Sequence, residues 1–200
     1  MKMLHFDETY SPLTSDEIIA KSRANMDASR FEHCVGVSET ARHLAHLNGY
    51  DDNKAALTGF IHDYAKQVSD ADFIAAIKTQ GFDLELLKWN RLIWHGIVGT
   101  YFIKRDLKIM DAEILRAVWY HTTGAPEMTV LDKIVFVADY IEPRRSFAGV
   151  DQARQVSFAN LDAGVGYELT HTLEFLLAKR ARIYPQTLLA YNVWGTEKGE

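Results

Sequence analysis

Residues 131–141 read LDKIVFVADYI, a stretch that contains five consecutive apolar residues at positions 134–138. In a helix of 3.6 residues per turn, five consecutive apolar side chains cover more than one full turn, which indicates a helix buried on most sides. The spacing Thr129-x-x-Asp132 just before it has the form of a capping box, in which two side chains satisfy free backbone N–H groups at a helix start. The stretch therefore predicts a buried helix that begins directly after Thr129.

The flanking sequence carries the same signals of helix starts and ends. Ser, Thr or Asp precedes segments whose apolar residues recur at steps of three and four, and Gly or Pro follows them. Further helices are predicted to begin near Ser15, Ser29, Asp51, Ser69, Trp94, Ala112, Asp151, Asp162 and Pro185, with Ser29, Asp151 and Asp162 among the capping residues. Their predicted ends include Asn48 for the second helix, Lys66 for the third, Arg105 for the fifth and Arg182 for the helix that starts at Asp162.

The fold class that these signals predict is all-α. No stretch alternates polar and apolar residues between turn residues, as a β-hairpin would, and there is no repeat and no linker rich in glycine or serine. The length of 200 residues fits one domain. We therefore predict a single compact helical bundle over residues 1–200, with a core at about 28–145 and C-terminal helices at 151–194 packed against it.

Composition excludes several classes of protein. With 48% hydrophobic residues the chain can bury a core, which argues against intrinsic disorder, and the single Cys34 rules out a disulfide-stapled fold. The net charge of −5 disfavours nucleic acid as a partner, since a phosphate backbone repels an acidic protein. Residues 1–8 lack the apolar run of a targeting segment, and no apolar run reaches the length of a membrane span. We expect a cytoplasmic protein with no membrane partner.

Asp139 stands out within the predicted buried helix. An ionised carboxylate in apolar surroundings costs free energy unless it is paired or bound to a metal ion. The alternative is a solvent-facing side chain near the end of the helix, although a negative charge there opposes the helix dipole. Asp139 is therefore a candidate metal ligand.

Several histidines lie in similar settings. His62 and Asp63 follow an apolar approach, and together they offer an imidazole nitrogen and a carboxylate, which are both ligands for divalent transition metals. His33 lies earlier, in the long second helix, and His95 and His121 follow further along the chain. A lone His-Asp pair arises readily by chance, so the dyad gains its meaning from the other residues.

The ordered set His33, His62-Asp63 and Asp139 resembles the metal-binding signature of the HD superfamily of phosphohydrolases. Longer segments extend the resemblance to the YqeK-type branch, namely HDYAK at 62–66, HTTG at 121–124, LDKI at 131–134 with ADYIEPRR at 138–145, and YPQT at 184–187. The resemblance implies an all-helical domain in which His33, His62, Asp63 and Asp139 converge on a divalent metal ion. It also implies symmetrical hydrolysis of diadenosine tetraphosphate to two ADP, with iron or a similar transition metal.

The residue chemistry agrees with this activity. Hydrolysis of a phosphoanhydride needs a nucleophile at neutral pH and relief of negative charge, and a metal ion that binds water and phosphate supplies both. A set of two imidazoles and two carboxylates suits Fe, Mn, Co, Ni or Zn better than Mg, which prefers oxygen ligands. Asp63 is the candidate to orient the attacking water while it also holds the metal.

Two interpretations stay open for His95 and His121. They either ligate a second metal ion or donate hydrogen bonds to substrate phosphate beside a single ion. The second interpretation is favoured, because neither histidine has an adjacent carboxylate that would bridge two ions. His95 then joins Asp63 and Lys66 as a catalytic residue, and His95, His121 and Thr122 join the substrate-binding residues.

Cationic side chains are expected around the substrate phosphates. Lys66 lies three residues after Asp63, and Arg30 lies three residues before His33, so each shares a helical face with its partner. Arg145 is another candidate, since the planar fork of arginine suits phosphate oxygens. The resemblance adds a nucleotide-binding segment that the residue chemistry alone does not indicate, consisting of Arg182, Tyr184, Pro185, Gln186 and Thr187. We expect the four cations Arg30, Lys66, Arg145 and Arg182 to converge on one pocket.

Other functions compete with this prediction. Within the same superfamily, the substrate is alternatively a deoxynucleotide or a guanosine polyphosphate. From another class, the chain is a non-catalytic module that senses nucleotide or metal. A phosphate loop of the Walker type, a complete dinucleotide fingerprint and a His-Glu-x-x-His motif are all absent from the sequence. The expected partner is a small nucleotide, and assembly into a homodimer stays open.

Overall fold

The structure is a computed structural model that describes residues 4–196. In this range it contains two short 3-10 helices, eleven α-helices and no strand, so the predicted all-α class is confirmed. The α-helices are α1 (Ser15–Ala24), α2 (Ala28–Leu47), α3 (Asp52–Ile61), α4 (Asp70–Thr79), α5 (Arg91–Ile97), α6 (Gly99–Leu107), α7 (Ala112–Tyr120), α8 (Val130–Ile141), α9 (Val150–Ala159), α10 (Leu161–Ala178) and α11 (Pro185–Trp194).

Helix α8 lies at the centre of the bundle, as its apolar sequence predicts. It packs against α2, α3, α7, α9 and α10, and its residues 134–138 are all buried. Its start is the predicted capping box, in which Thr129 accepts from the backbone N–H of Asp132 and the Asp132 carboxylate accepts from that of Thr129. Burial of the apolar face and satisfaction of the free N–H groups together define this helix.

The third helix ends earlier than predicted. It stops at Ile61 rather than at Lys66, and residues 62–67 form consecutive turns. The N–H of Tyr64 donates to the carbonyl of Ile61, and the N–H of Lys66 donates to that of Asp63, so the chain follows the tighter i to i+3 spacing. No glycine or proline marks this change in the sequence.

The predicted helix from Trp94 to Arg105 is two helices. The side chain of Asn90 accepts from the N–H of Leu92 and starts α5 earlier than predicted. Val98 separates the two helices, since it is both the C-terminal cap of α5 and the N-terminal cap of α6. His95 therefore belongs to the short helix α5, whereas Arg105 belongs to α6.

Three predicted capping residues lie inside their helices instead. The observed caps of α2, α9 and α10 are Asp27, Gly149 and Asn160, in place of Ser29, Asp151 and Asp162. A capping residue needs non-helical backbone angles, and the sequence pattern does not indicate which of several polar residues adopts them. Helix α10 also ends at Ala178, before the predicted end at Arg182.

The predicted division into a core and C-terminal helices stays a prediction, and its ends at residues 1–3 and 197–200 lie outside the described residues. Helix α10 packs on α8, and α9 and α11 pack on α10. No helix among residues 4–196 is both long enough and apolar enough to cross a membrane.

Candidate active site

One cluster of imidazoles and carboxylates lies in the middle of the bundle, where α2, α3, α5, α7 and α8 meet. Its members are His33 from α2, His62, Asp63 and Lys66 from the turns after α3, His95 from α5, His121 and Thr122 from the turn after α7, and Asp139 from α8. The four imidazoles and Asp63 are buried, while Asp139 is partly exposed.

Close packing of α2 and α3 brings His33 and His62 together. Gly59 on α3 faces α2, and a Cβ atom at this position would stand only 3.0 Å from the Cβ of Ala41 and 3.0 Å from the carbonyl oxygen of Val37. The missing side chain lets the two helices approach each other, which leaves the His33 and His62 ring centroids 5.4 Å apart.

All four imidazoles are oriented in the same way, with Nδ1 toward an oxygen atom outside the cluster. The acceptors are Glu142 Oε1 for His33 at 3.1 Å, Gly59 O for His62 at 2.7 Å, Arg91 O for His95 at 2.9 Å and Val118 O for His121 at 2.7 Å. A histidine that donates its Nδ1 proton presents the lone pair of Nε2, which is the arrangement of most histidine metal ligands.

The four predicted ligands have the spacing of a single metal site. His33 Nε2 lies 3.0 Å from Asp139 Oδ1 and 3.9 Å from Asp63 Oδ2. His62 Nε2 lies 3.5 Å from Asp63 Oδ2 and 3.8 Å from Asp139 Oδ1. Nitrogen and oxygen ligands bind such ions at about 2.0–2.2 Å, so atoms about 3–4 Å apart can share one ion.

Unpaired buried atoms support a metal at this position. His33 Nε2, His62 Nε2 and Asp63 Oδ1 are buried in the described part of the chain without a hydrogen-bond partner. Buried polar atoms are almost always paired in native proteins, because a lone one costs the free energy of its lost hydration. A bound divalent cation would satisfy these atoms, so the donor set fits a metal ion.

Protonation favours metal binding as well. Burial lowers the pKa of His62 to about 3, against the pull of Asp63 and Asp139, so its ring is neutral near pH 7. Burial by itself raises the pKa of Asp63, but the positive charge of the neighbouring Lys66 ammonium helps to hold the pKa well below its ordinary range. Burial also raises the pKa of Asp139, but His33 and Arg145 lower it by more. The pKa of Asp139 therefore lies well below its ordinary value.

Three of the four predicted cations meet at the cluster. Arg30 Nη1 donates to Asp63 Oδ2 at 2.7 Å, and Arg145 donates to both the carboxylate and the carbonyl of Asp139. Lys66 Nζ lies 3.6 Å from Asp63 Oδ1. The side chains of these cations keep 26–38% of their surface exposed, which leaves them accessible to an anionic ligand.

Arg182 does not join the other cations. Its Nη1 donates to the carbonyl of Lys88 at 2.8 Å, and its guanidinium lies over the Trp89 ring. The prediction that four cations converge is therefore wrong for this residue. Helix α10 ends before Arg182, and the side chain of Arg182 lies against Lys88 and Trp89, at the end of the 3-10 helix at residues 84–88.

The segment after Arg182 lies beside the cluster. Tyr184 packs edge-on against Trp89, and Tyr184 and Gln186 line a cavity of about 230 Å³ together with Thr123. Thr123 directly follows the predicted substrate residue Thr122. Pro185, at the exposed first turn of α11, and the buried Thr187 complete the predicted segment.

The expectation that no bridging carboxylate lies beside His95 and His121 is wrong. None is adjacent to them in sequence, but the Asp63 carboxylate lies close to both imidazoles in space. Its Oδ1 lies 3.2 Å from His95 Nε2 and 3.6 Å from His121 Nε2, while its Oδ2 faces His33 and His62.

Glu142 is a site residue that the sequence reasoning missed. It is buried, and its carboxylate accepts from Nδ1 of His33 and from the backbone N–H of Arg144. The signal available in the sequence was a carboxylate directly after a buried helix and directly before Pro143. A charged group in that position needs a partner as much as Asp139 does.

Comparison with known proteins identifies the family. The family model described as "HD domain" matches residues 30–144. This range runs from α2 to just past the end of α8 and includes every predicted metal ligand. The chain belongs to the HD domain family. An HD domain implies a bound divalent metal ion, and the cluster of His33, His62, Asp63, His121 and Asp139 is consistent with one.

Relatives of this HD domain protein extend over nearly its whole length. It is 37% identical over 180 residues to the "Bis(5'-nucleosyl)-tetraphosphatase, symmetrical" of Bacillus subtilis, which covers 90% of this chain and 97% of the relative. It is 38% identical over 170 residues to the protein of the same description from Halalkalibacterium halodurans, which covers 85% of this chain and 91% of the relative.

A solved structure has the same fold. The crystal structure of a predicted HD superfamily hydrolase involved in NAD metabolism, from Clostridium acetobutylicum, superposes with a TM-score of 0.87 at 33% identity. The superposition covers 91% of this chain and 97% of the Clostridium acetobutylicum chain. The predicted HD-type bundle is therefore confirmed.

Proposed function

We propose that this chain hydrolyses bis(5'-nucleosyl)-tetraphosphates symmetrically, with diadenosine tetraphosphate as the substrate and two ADP as the products. The observation that carries the proposal is its identity of 37–38% over 85–90% of its length with two proteins of that description. The complete set of four ligands, whose two imidazoles are oriented by hydrogen bonds at Nδ1, supports a working hydrolytic centre.

The proposed metal ligands are His33, His62, Asp63 and Asp139. When bound, the ion lowers the pKa of its water and polarises a phosphoryl oxygen. We propose iron, with manganese, cobalt, nickel and zinc as the alternatives, because mixed nitrogen and oxygen ligands suit these ions. Metal analysis of the purified protein tests the choice.

The reaction breaks the central anhydride of the tetraphosphate. The oxygen of a water molecule forms a bond with one of the two inner phosphorus atoms, and the bond from that atom to the bridging oxygen breaks. The water oxygen completes the terminal phosphate of one ADP, and the bridging oxygen completes that of the other. Asp63, which stays ionised at neutral pH, accepts a hydrogen bond from the water and orients it.

The remaining site residues bind the substrate. Arg30, Lys66 and Arg145 offer positive charge to the phosphates, and arginine forks suit phosphate oxygens. His95, His121 and Thr122 add hydrogen-bonding groups beside the reacting phosphate, and His95 and Lys66 act there with Asp63 in catalysis. Tyr184, Pro185, Gln186 and Thr187 are proposed to contact a nucleoside beside the cavity at Thr123. Arg182 is proposed to assist from its position over Trp89, which also lines that cavity.

A substrate panel tests the proposal. We expect the metal-loaded protein to convert diadenosine tetraphosphate into ADP alone, with two ADP formed for each substrate molecule. Formation of AMP and ATP would contradict symmetrical cleavage. Faster turnover of a deoxynucleotide or a guanosine polyphosphate would identify another nucleotide as the substrate, and no turnover with Fe, Mn, Co or Ni would favour a sensing module.

A pair of aspartate variants tests the mechanism. Asp63→Ala is expected to abolish turnover while the helical circular dichroism spectrum is retained. Asp16→Ala, at an exposed position in the first turn of α1, is the matched control and should keep full activity. Cytoplasmic location and homodimer assembly remain predictions, which cell fractionation and sedimentation measurements check.

A further inference from the structure

The carboxylate of Asp63 has a second neighbourhood besides the proposed metal site. Its Oδ2 faces His33 and His62, whereas its Oδ1 faces His95 Nε2 at 3.2 Å and His121 Nε2 at 3.6 Å. Asp63 Oδ1 is buried without a hydrogen-bond partner. The two oxygens of one side chain therefore border two adjacent positions.

The second position is surrounded by nitrogen and oxygen lone pairs. His95 Nε2 and His121 Nε2 lie 3.1 Å apart, and each ring donates its Nδ1 proton to a backbone carbonyl, so two lone pairs face each other. Thr122 Oγ1 lies 3.2 Å from both nitrogens but has only one proton to donate. Two imidazole lone pairs and a carboxylate oxygen repel one another unless a cation lies among them.

The spacing of these three atoms would accept a metal ion. Ligands about 2.1 Å from an ion lie about 3–3.5 Å from each other, which agrees with separations of 3.1, 3.2 and 3.6 Å. The ammonium of Lys66 already lies close to two of these three atoms. Its Nζ is 2.9 Å from His95 Nε2 and 3.6 Å from Asp63 Oδ1.

We infer that the ammonium of Lys66 is the second cation of this centre and takes the place of a second metal ion. An ammonium has three donors and no acceptor, so it satisfies lone pairs as a metal ion does. The turn after α3 holds it there, because the N–H of Lys66 donates to the carbonyl of Asp63 at 2.9 Å. A metal ion at this position would meet a positive charge within a few ångströms, which disfavours its binding.

The inference gives Lys66 a role that metal counting can detect. It rests on the proposed function only for the first ion at His33, His62, Asp63 and Asp139. Loss of the Lys66 charge should open the second position to a metal ion, whatever nucleotide the site accepts. Lys66→Met removes the charge and keeps the length of the side chain, and Lys66→Arg keeps the charge.

The test counts bound metal by mass spectrometry after anaerobic loading with manganese or cobalt and removal of free metal. We expect one ion per chain in the wild type and in Lys66→Arg, and two ions in Lys66→Met. The double variant Lys66→Met/His121→Ala should return to one ion. Circular dichroism checks that each variant is folded, and electron paramagnetic resonance of the manganese-loaded Lys66→Met protein should show two coupled ions.

Two ions in the wild type, or one in Lys66→Met, would overturn the inference. An absence of metal from all variants would overturn it together with the proposed metal site. The metal count uses no nucleotide. If the wild type binds one ion and Lys66→Met binds two, but diadenosine tetraphosphate is not hydrolysed, the proposed substrate is rejected and the role of Lys66 stands.

Discussion

Oε1 of Glu142 lies 3.1 Å from Nδ1 of His33 and orients this imidazole from the far end of α8. The same helix carries Asp139, whose Oδ1 lies 3.0 Å from the other ring nitrogen of His33. One helix therefore supplies both a proposed metal ligand and the group that aligns a second one. Gly36 makes room for this arrangement, since a Cβ atom there would stand 2.5 Å from Glu142 Oε2.

Glu142→Gln should weaken metal binding. The amide oxygen still accepts the Nδ1 hydrogen bond, but the negative charge that makes His33 a stronger ligand is lost. Outer partners of this kind change metal affinity by about 10- to 100-fold, and we expect a loss in that range. Competition with a chelator of known affinity measures it. Glu127→Gln, at an exposed position, is the matched control, and equal affinities for the two variants would contradict the role of Glu142.

Gly36→Ala should destabilise the fold. The added methyl group meets the carboxylate of Glu142, and overpacking of a tight site costs about 1–3 kcal/mol of unfolding free energy. Urea unfolding measures this loss, and Ser29→Ala on an exposed turn of the same helix should change stability little. Adding Glu142→Ala to Gly36→Ala should cost less than the sum of the two single changes, and strict additivity would show that the two side chains do not meet.

Acid should destabilise the metal-free protein through His62. Burial lowers the pKa of His62 from 6.5 to about 3. Between these values the unfolded chain binds a proton that the folded chain does not, so the free energy of unfolding falls as the pH falls from about 6.5 to 3. Chemical unfolding of the chelator-treated protein across this range checks the slope. His62→Gln should show a shallower slope, and an unchanged slope would assign the effect to other groups.

Cys34 should be unreactive in the folded protein. Burial raises the pKa of its thiol well above the ordinary value, and only the thiolate form attacks a labelling reagent. We expect little labelling at pH 8 under native conditions and one label per chain in denaturant. Rapid labelling of the native protein would mean that the core around α2 opens readily.

Much of the local structure follows from the sequence. The capping box at Thr129 and the helix starts at Ser15, Ala112 and Pro185 all form as predicted, because each rests on hydrogen bonds or backbone angles within a few residues. The turns after Ile61 were not predictable in this way. Their course depends on how α3 packs against the rest of the bundle.

The composition of the centre also follows from the sequence, since His33, the His62-Asp63 dyad and Asp139 were identified from residue type, apolar setting and family resemblance. Residue type fixes which atoms can bind a metal, and a buried run around a carboxylate indicates that it needs a partner.

Only the tertiary structure decides which of these residues contact one another and therefore which role each one has. It directs the two oxygens of Asp63 toward different histidine pairs, brings Lys66 to His95, adds Glu142 behind His33 and leaves Arg182 against Trp89. Hydrogen bonds within a helix depend on residues three or four apart, which a sequence pattern records. Contacts between helices depend on packing among residues that are tens of positions apart, and no local pattern records them.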